Sequence, residues 1–216
     1  MKEAYKTIYE GGSTEIIVKK SRFLATIVPV ETEAAAEEFI EQIKKKYWDA
    51  SHNCSAYLIG ADNPILRCSD DGEPSKTAGR PMLDVLLAHE LTNLVVVVTR
   101  YFGGTLLGTG GLVKAYQTAV IEGLNSCKII TKQIGIQLQI ITDYNQLGKI
   151  QYYAAQEDIT ILTSEYTEIV NLTLLVPPSK IQNLTKKIAE LTNGSAILNE
   201  VGQVYFSVLS GEVYLF

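Results

Sequence analysis

The run Leu94-Val95-Val96-Val97-Val98 sets the tightest limit on the fold, because five consecutive aliphatic residues leave neither face of an extended segment to water. Such a strand belongs at the heart of a sheet or under cover on both sides. Thr99-Arg100-Tyr101-Phe102 follows, then five glycines in the nine residues from Gly103 to Gly111. Helical spacing then takes over at Leu112, Ala115, Tyr116, Ala119 and Gly123, which places a helix over 112–124. In a strand, glycine loop and helix in this order, backbone N–H groups and the helix N-terminus can approach an anion. The plainer role of the same glycines is to make turns and close helix-to-strand packing. The loop is not a Walker A motif, since no Gly-Lys-Ser/Thr occurs. Nor is it a dinucleotide fingerprint, since Val113 occupies the final glycine position after Gly108 and Gly110.

The rest of the chain reads as alternating strands and helices. Tyr5, Thr7 and Tyr9, then Glu15 to Lys20, then Phe23 to Val28 predict three adjacent strands, with Gly11-Gly12 as a turn. From Thr32 to Tyr47 the period becomes helical, with Ala36, Phe39, Ile40, Ile43 and Tyr47 on one face. A strand over 54–60 precedes two turn-rich stretches, and a short helix is expected from Arg80 to Glu90. Beyond Thr131 the order is strand (134–142), helix (144–155), strand (159–166), strand (168–176), helix (179–192) and strand (196–209). That βαββαβ order is the ferredoxin-like pattern. Asp143 is placed to cap the first of these helices and Asn193-Gly194 to stop the second. The expected architecture is α+β in two domains, 1–132 and 133–216.

Apolar residues at 46% and charged residues at 20% suit a globular chain. Nothing approaches the ~18 uninterrupted apolar residues of a membrane span, and Met1 to Lys6 carries no signal core, so a soluble cytoplasmic protein is expected. The net charge of −5 is uneven: residues 1–132 hold 15 basic against 16 acidic groups, and residues 133–216 hold 4 against 8. A general nucleic-acid binder carries a basic excess, so RNA contact here requires a local patch. Cys54, Cys68 and Cys127 form neither a disulfide framework nor a Cys-x-x-Cys pair, and with only two histidines structural zinc is not expected. Cys54 lies in a strand and reads as a core thiol.

Several side chains could carry chemistry. Asp70, Asp71 and Glu73 could hold Mg²⁺ and Lys76 and Arg80 a phosphate, but the spacing matches no complete metal loop and Asp-Gly is first a turn signal. Asp49, Ser51 and His52 supply an orienter, nucleophile and base in name, although adjacency in sequence is not triad geometry. A histidine just before a strand is more often structural. Arg100 and Lys114 flank the glycine loop and could complete an anion site. Trp48, Tyr101 and Phe102 adjoin apolar elements and read as core or rim packing.

Three stretches together resemble the N-terminal domain of the IMPACT family: Asp49 to Tyr57, Ser69 to Pro81 and Thr99 to Tyr116. The resemblance covers roughly residues 15 to 125. The family's bacterial YigZ-like branch adds a ferredoxin-like C-terminal domain, which agrees with the reading from residue 133 onward. The resemblance implies that the first domain has the fold of the second domain of ribosomal protein S5 and that the second resembles the last domain of the translocation elongation factor. Eukaryotic relatives regulate translation-linked stress signalling through protein contacts. A binding protein of translation is therefore expected, with ribosome, RNA or a translation-linked protein as partner and with no cofactor, metal or membrane. Its phosphate or RNA contacts would come from Arg22, Lys76, Arg80, Arg100, Gly103, Gly104, Thr105, Gly108, Gly110, Gly111 and Lys114. His52, Asp70, Asp71, Glu73, Tyr101 and Tyr116 are the other motif residues, and no catalytic residue is assigned. Lys76 departs from the small residue common at this position among relatives. The alternative is an enzyme acting on a phosphorylated small molecule or nucleotide through the glycine loop. The S5-type fold is shared with a family of small-molecule kinases, whose Ser-rich loop signature does not occur here.

Overall fold

The computed structural model describes residues 2–216, and the chain divides into two compact units, residues 1–131 and 132–216. The first holds β1 (Ala4–Glu10), β2 (Gly12–Val18), β3 (Ser21–Pro29), α1 (Glu33–Lys46), β4 (His52–Ile59), β5 (Ile65–Ser69), α2 (Gly79–Ala88), β6 (Leu94–Tyr101) and α3 (Thr109–Asn125). Its five-stranded sheet runs β2-β3-β6-β4-β5 with every neighbour antiparallel. The aliphatic run therefore lies in the middle strand. Alternation explains why it has no polar side: Leu94, Val96 and Val98 join Met82, Leu86, Tyr116 and Ala119 of α2 and α3 in one core, while Val95 and Val97 pack with Ala36 and Ile43 of α1 in another. Thr32 caps α1 by accepting from the Ala35 amide at 3.2 Å.

Several expectations are corrected. The first three strands are not adjacent: β2 and β3 form a hairpin through Lys19 and Lys20, both at positive φ, but β1 pairs with β7. Strand β5 lies between the two turn-rich stretches, where the sequence predicts no strand, and its five residues are all exposed. Helix α3 begins at Thr109, three residues before the apolar spacing, so Gly110 and Gly111 belong to its first turn. Strand β4 begins at His52, which places that histidine within the ladder. Trp48 and Phe102 are 83% and 50% exposed rather than packed.

The second unit contains most of β7 (Lys128–Thr142), then α4 (Tyr144–Gln156), β8 (Thr160–Tyr166), β9 (Val170–Val176), α5 (Ile181–Leu191), β10 (Ile197–Leu209) and β11 (Glu212–Leu215). The sheet order β11-β10-β7-β9-β8 carries the βαββαβ arrangement, with β11 as a C-terminal hairpin partner of β10. Asp143 caps α4, accepting from the amides of Asn145 and Gln146 at 2.8 and 3.1 Å. Ile150 and Ala154 of α4 and Leu184 and Ile188 of α5 cover Leu138, Ile140, Leu172 and Leu174 of the sheet. Among the described residues no helix is long and apolar enough to cross a membrane.

Candidate functional site

The parity that sends Val96 and Val98 toward α2 and α3 sends Arg100 the same way, at the end of the strand where the aliphatic cover stops. Strand register sets Arg100 opposite Phe23 of β3 and His52 of β4. Its guanidinium lies 5.5 and 5.7 Å from the ring centres of Phe23 and Phe102, within the range of cation–π attraction. A buried arginine needs a counter-charge, and the loop between β5 and α2 delivers one. Glu73 Oε1 accepts from Arg100 at 2.6 Å and from the Tyr116 hydroxyl at 2.8 Å, with both Glu73 and Arg100 buried. His52 sits beside them, its Nε2 3.8 Å from Glu73 Oε2 and its Nδ1 2.8 Å from the Asp71 carbonyl oxygen.

Burial first, then the neighbouring Cys54 and Glu73, pushes the Tyr116 phenol far above its ordinary range, so it serves as a donor. Burial likewise raises the Cys54 thiol, against the lowering effect of its contact with Tyr116. Cys54 is thus a core thiol and not a nucleophile.

The acidic stretch does not converge on one point. Asp70 accepts from the backbone amides of Lys76, Ala78 and Gly79 at 2.7, 3.0 and 2.9 Å, which ties down the entry to α2. Asp71 accepts from the Asn53 amide at 2.7 Å and pairs with Lys44 at 3.2 Å. Among the described residues no group of three or more His, Cys, Asp or Glu is arranged to hold a metal ion. Replacing Asp70 with Ala is expected to lower stability by about 2 kcal/mol, since three amides lose their acceptor, and Asp70→Asn should recover part of it. A free energy of urea unfolding for Asp70→Ala within about 0.3 kcal/mol of the parent would refute this role.

The triad in name does not assemble: Asp49 accepts from the Tyr101 hydroxyl at 2.9 Å and Ser51 Oγ from the Phe102 amide at 3.2 Å, while His52 engages Asp71. A cleft of about 540 Å³ opens here, lined by His52, Glu73, Arg100, Phe102, Leu106 to Thr109 and neighbours. Helix α3 starts on this cleft. Its N-cap is Gly108 at φ 73°, a left-handed position that offers no side-chain acceptor. The first intrahelical bond runs from the Leu112 amide to the Gly108 carbonyl at 2.9 Å, so the amides of Thr109, Gly110 and Gly111 are left over. Gly104, Gly108 and Gly110 face open space, whereas Gly103 packs its backbone against Lys20 and Ser21.

Other predicted contacts lie elsewhere. Arg22 is held by both carboxylate oxygens of Glu15 at 2.7 and 2.9 Å and lies over Tyr101. Arg80 pairs with Asp84 along α2 at 2.8 Å. Lys76, at φ 63° and exposed, and Lys114, exposed on α3, do not line the cleft; nor does Thr105. The pairing of Glu73 with Arg100 is the feature that residue-by-residue reading missed. The parity of β6 was the available signal, because it predicts a buried Arg100 in want of a carboxylate.

Residues 19–124 match the Impact N-terminal domain and residues 140–195 a domain of unknown function, DUF1949. The chain is 42% identical to the IMPACT family member YvyE of Bacillus subtilis, covering 93% of this chain and 92% of that protein. It is 38% identical to the IMPACT family member YigZ of Escherichia coli, over 82% and 88% of the two chains. A crystal structure of a hypothetical protein shares 34% identity and a TM-score of 0.60, covering 94% of this chain and 99% of the other. Two matched domains in one order, with whole-length relatives, place the chain in the IMPACT family.

Proposed function

We propose that this protein is a cytoplasmic binding or regulatory protein of translation that engages phosphates of RNA or the ribosome through the cleft of its first unit. The observation that carries this reading is the start of α3, which has no side-chain cap and whose Gly108 and Thr109 line the cleft together with Arg100. The translation context comes from the family resemblance. The chain's acidic balance makes a local site, rather than general charge attraction, the source of affinity.

Gly110→Glu tests the reading without harming the fold. The position is helical and open, and a carboxylate in the first turn favours the helix while repelling a phosphate. Co-sedimentation with ribosomes and bulk RNA should weaken as salt rises and fall at least about tenfold in the variant, through charge repulsion at the start of α3. Absence of co-sedimentation at low salt, or equal co-sedimentation by the variant, would refute it.

A further inference from the structure

The cleft presents three unlike surfaces, and together they describe a ligand. The first is the anion-binding start of α3, beside Arg100, which is 5% exposed and whose Nε has no hydrogen-bond partner. The second is a pair of acceptors. A carbonyl oxygen can only accept, so the single-proton tautomer of His52 that bonds Asp71 has its hydrogen at Nδ1 and presents a lone pair at Nε2. Glu73 uses Oε1 for Arg100 and Tyr116, while Oε2 accepts no hydrogen bond among the described residues and stands 3.8 Å from Nε2. Two acceptors at that spacing cannot bond to each other, but they suit two adjacent donors, one for each. The third surface is apolar, formed by half-exposed Phe102 and by Leu106, which is 82% exposed. A planar base stacks on such a surface.

A phosphate, two neighbouring hydroxyl donors and a planar apolar group coexist in a ribonucleotide whose 2′ and 3′ hydroxyls are free. We infer that the cleft recognises the ribose cis-diol of a ribonucleotide, with His52 Nε2 and Glu73 Oε2 accepting from the two hydroxyls and the phosphate lying at the start of α3. This rests on the phosphate-binding reading above and sharpens it: the site takes a nucleoside 5′-monophosphate or the 3′ end of an RNA, and discriminates against deoxyribose.

Isothermal titration with four probes tests it: AMP, 2′-deoxy-AMP, a short single-stranded RNA with its natural 3′ end, and the same RNA ending in a 2′,3′-dideoxynucleotide. Loss of a hydroxyl should weaken binding about tenfold or more, because a buried acceptor is then left unpaired. Preference for AMP or for the natural RNA end identifies which source the cleft takes, and either supports the inference. His52→Phe, which removes the Nε2 acceptor, should shrink the discrimination, and the comparison of probes on the unaltered protein stands whether or not that variant folds. Equal binding of the diol and deoxy forms would overturn the inference while leaving phosphate binding intact. Failure of all four probes to bind would overturn both.

Discussion

Glu73→Ala is expected to destabilise the protein by about 3–5 kcal/mol, because it strands the Arg100 guanidinium in a buried position with no counter-charge. The carboxylate is the meeting point of β6, α3 and the loop before α2: it receives Arg100 at 2.6 Å and Tyr116 at 2.8 Å. Its removal leaves two buried donors without an acceptor. The pair itself need not be net stabilising, since both charges were drawn from water to form it. The double variant Glu73→Leu, Arg100→Met should therefore recover most of the loss, which a simple count of contacts would not expect. Glu73→Gln keeps an acceptor but drops the charge, and should fall between Glu73→Ala and the parent. With the single variants Glu73→Leu and Arg100→Met added, urea unfolding of the set gives the coupling energy. A loss below about 1 kcal/mol for Glu73→Ala, or no recovery in the double variant, would mean that the buried pair does not hold this end of the sheet.

The same residues mark how far the sequence could be read. Val95 to Val98 announce a strand covered on both faces because alternation leaves no polar side, and β6 is that strand. The βαββαβ order was legible for a similar reason: each element carries its own period, and Asp143 and Asn193-Gly194 punctuate the helices. What escaped depends on partners distant in sequence. Nothing local tells Tyr5, Thr7 and Tyr9 that their strand pairs with β7 and not with β2. Helix α3 begins earlier than the apolar spacing predicts: Thr-Gly-Gly has poor helix propensity, a preference that tertiary packing of Leu112, Ala115 and Tyr116 overrides. Asp70, Asp71 and Glu73 look like one acidic cluster in sequence. Folding gives them three destinations: the amides before α2, the Asn53 amide and Arg100.

The glycines make a last contrast, since the same substitution should have opposite effects a few residues apart. A β-carbon at Gly103 would overlap the carbonyl carbon and oxygen of Lys20 and the nitrogen of Ser21. All three are backbone atoms at the tip of the β2–β3 hairpin, so no side chain can swing aside to make room. Lys19 and Lys20 already occupy positive φ there, and that turn has little freedom to yield. Gly103→Ala should therefore cost about 3 kcal/mol or more, at the upper end of overpacking effects. It should also displace Phe102, and with it the wall of the cleft. At Gly110 a β-carbon meets nothing within 4 Å and the backbone is helical, so Gly110→Ala should stabilise by up to about 1 kcal/mol through helix propensity. Urea midpoints that move together in the two variants would show that loop glycines act through chain entropy alone. Movement in opposite directions would assign Gly103 to the packing that sets the cleft in place and the effect at Gly110 to helix propensity.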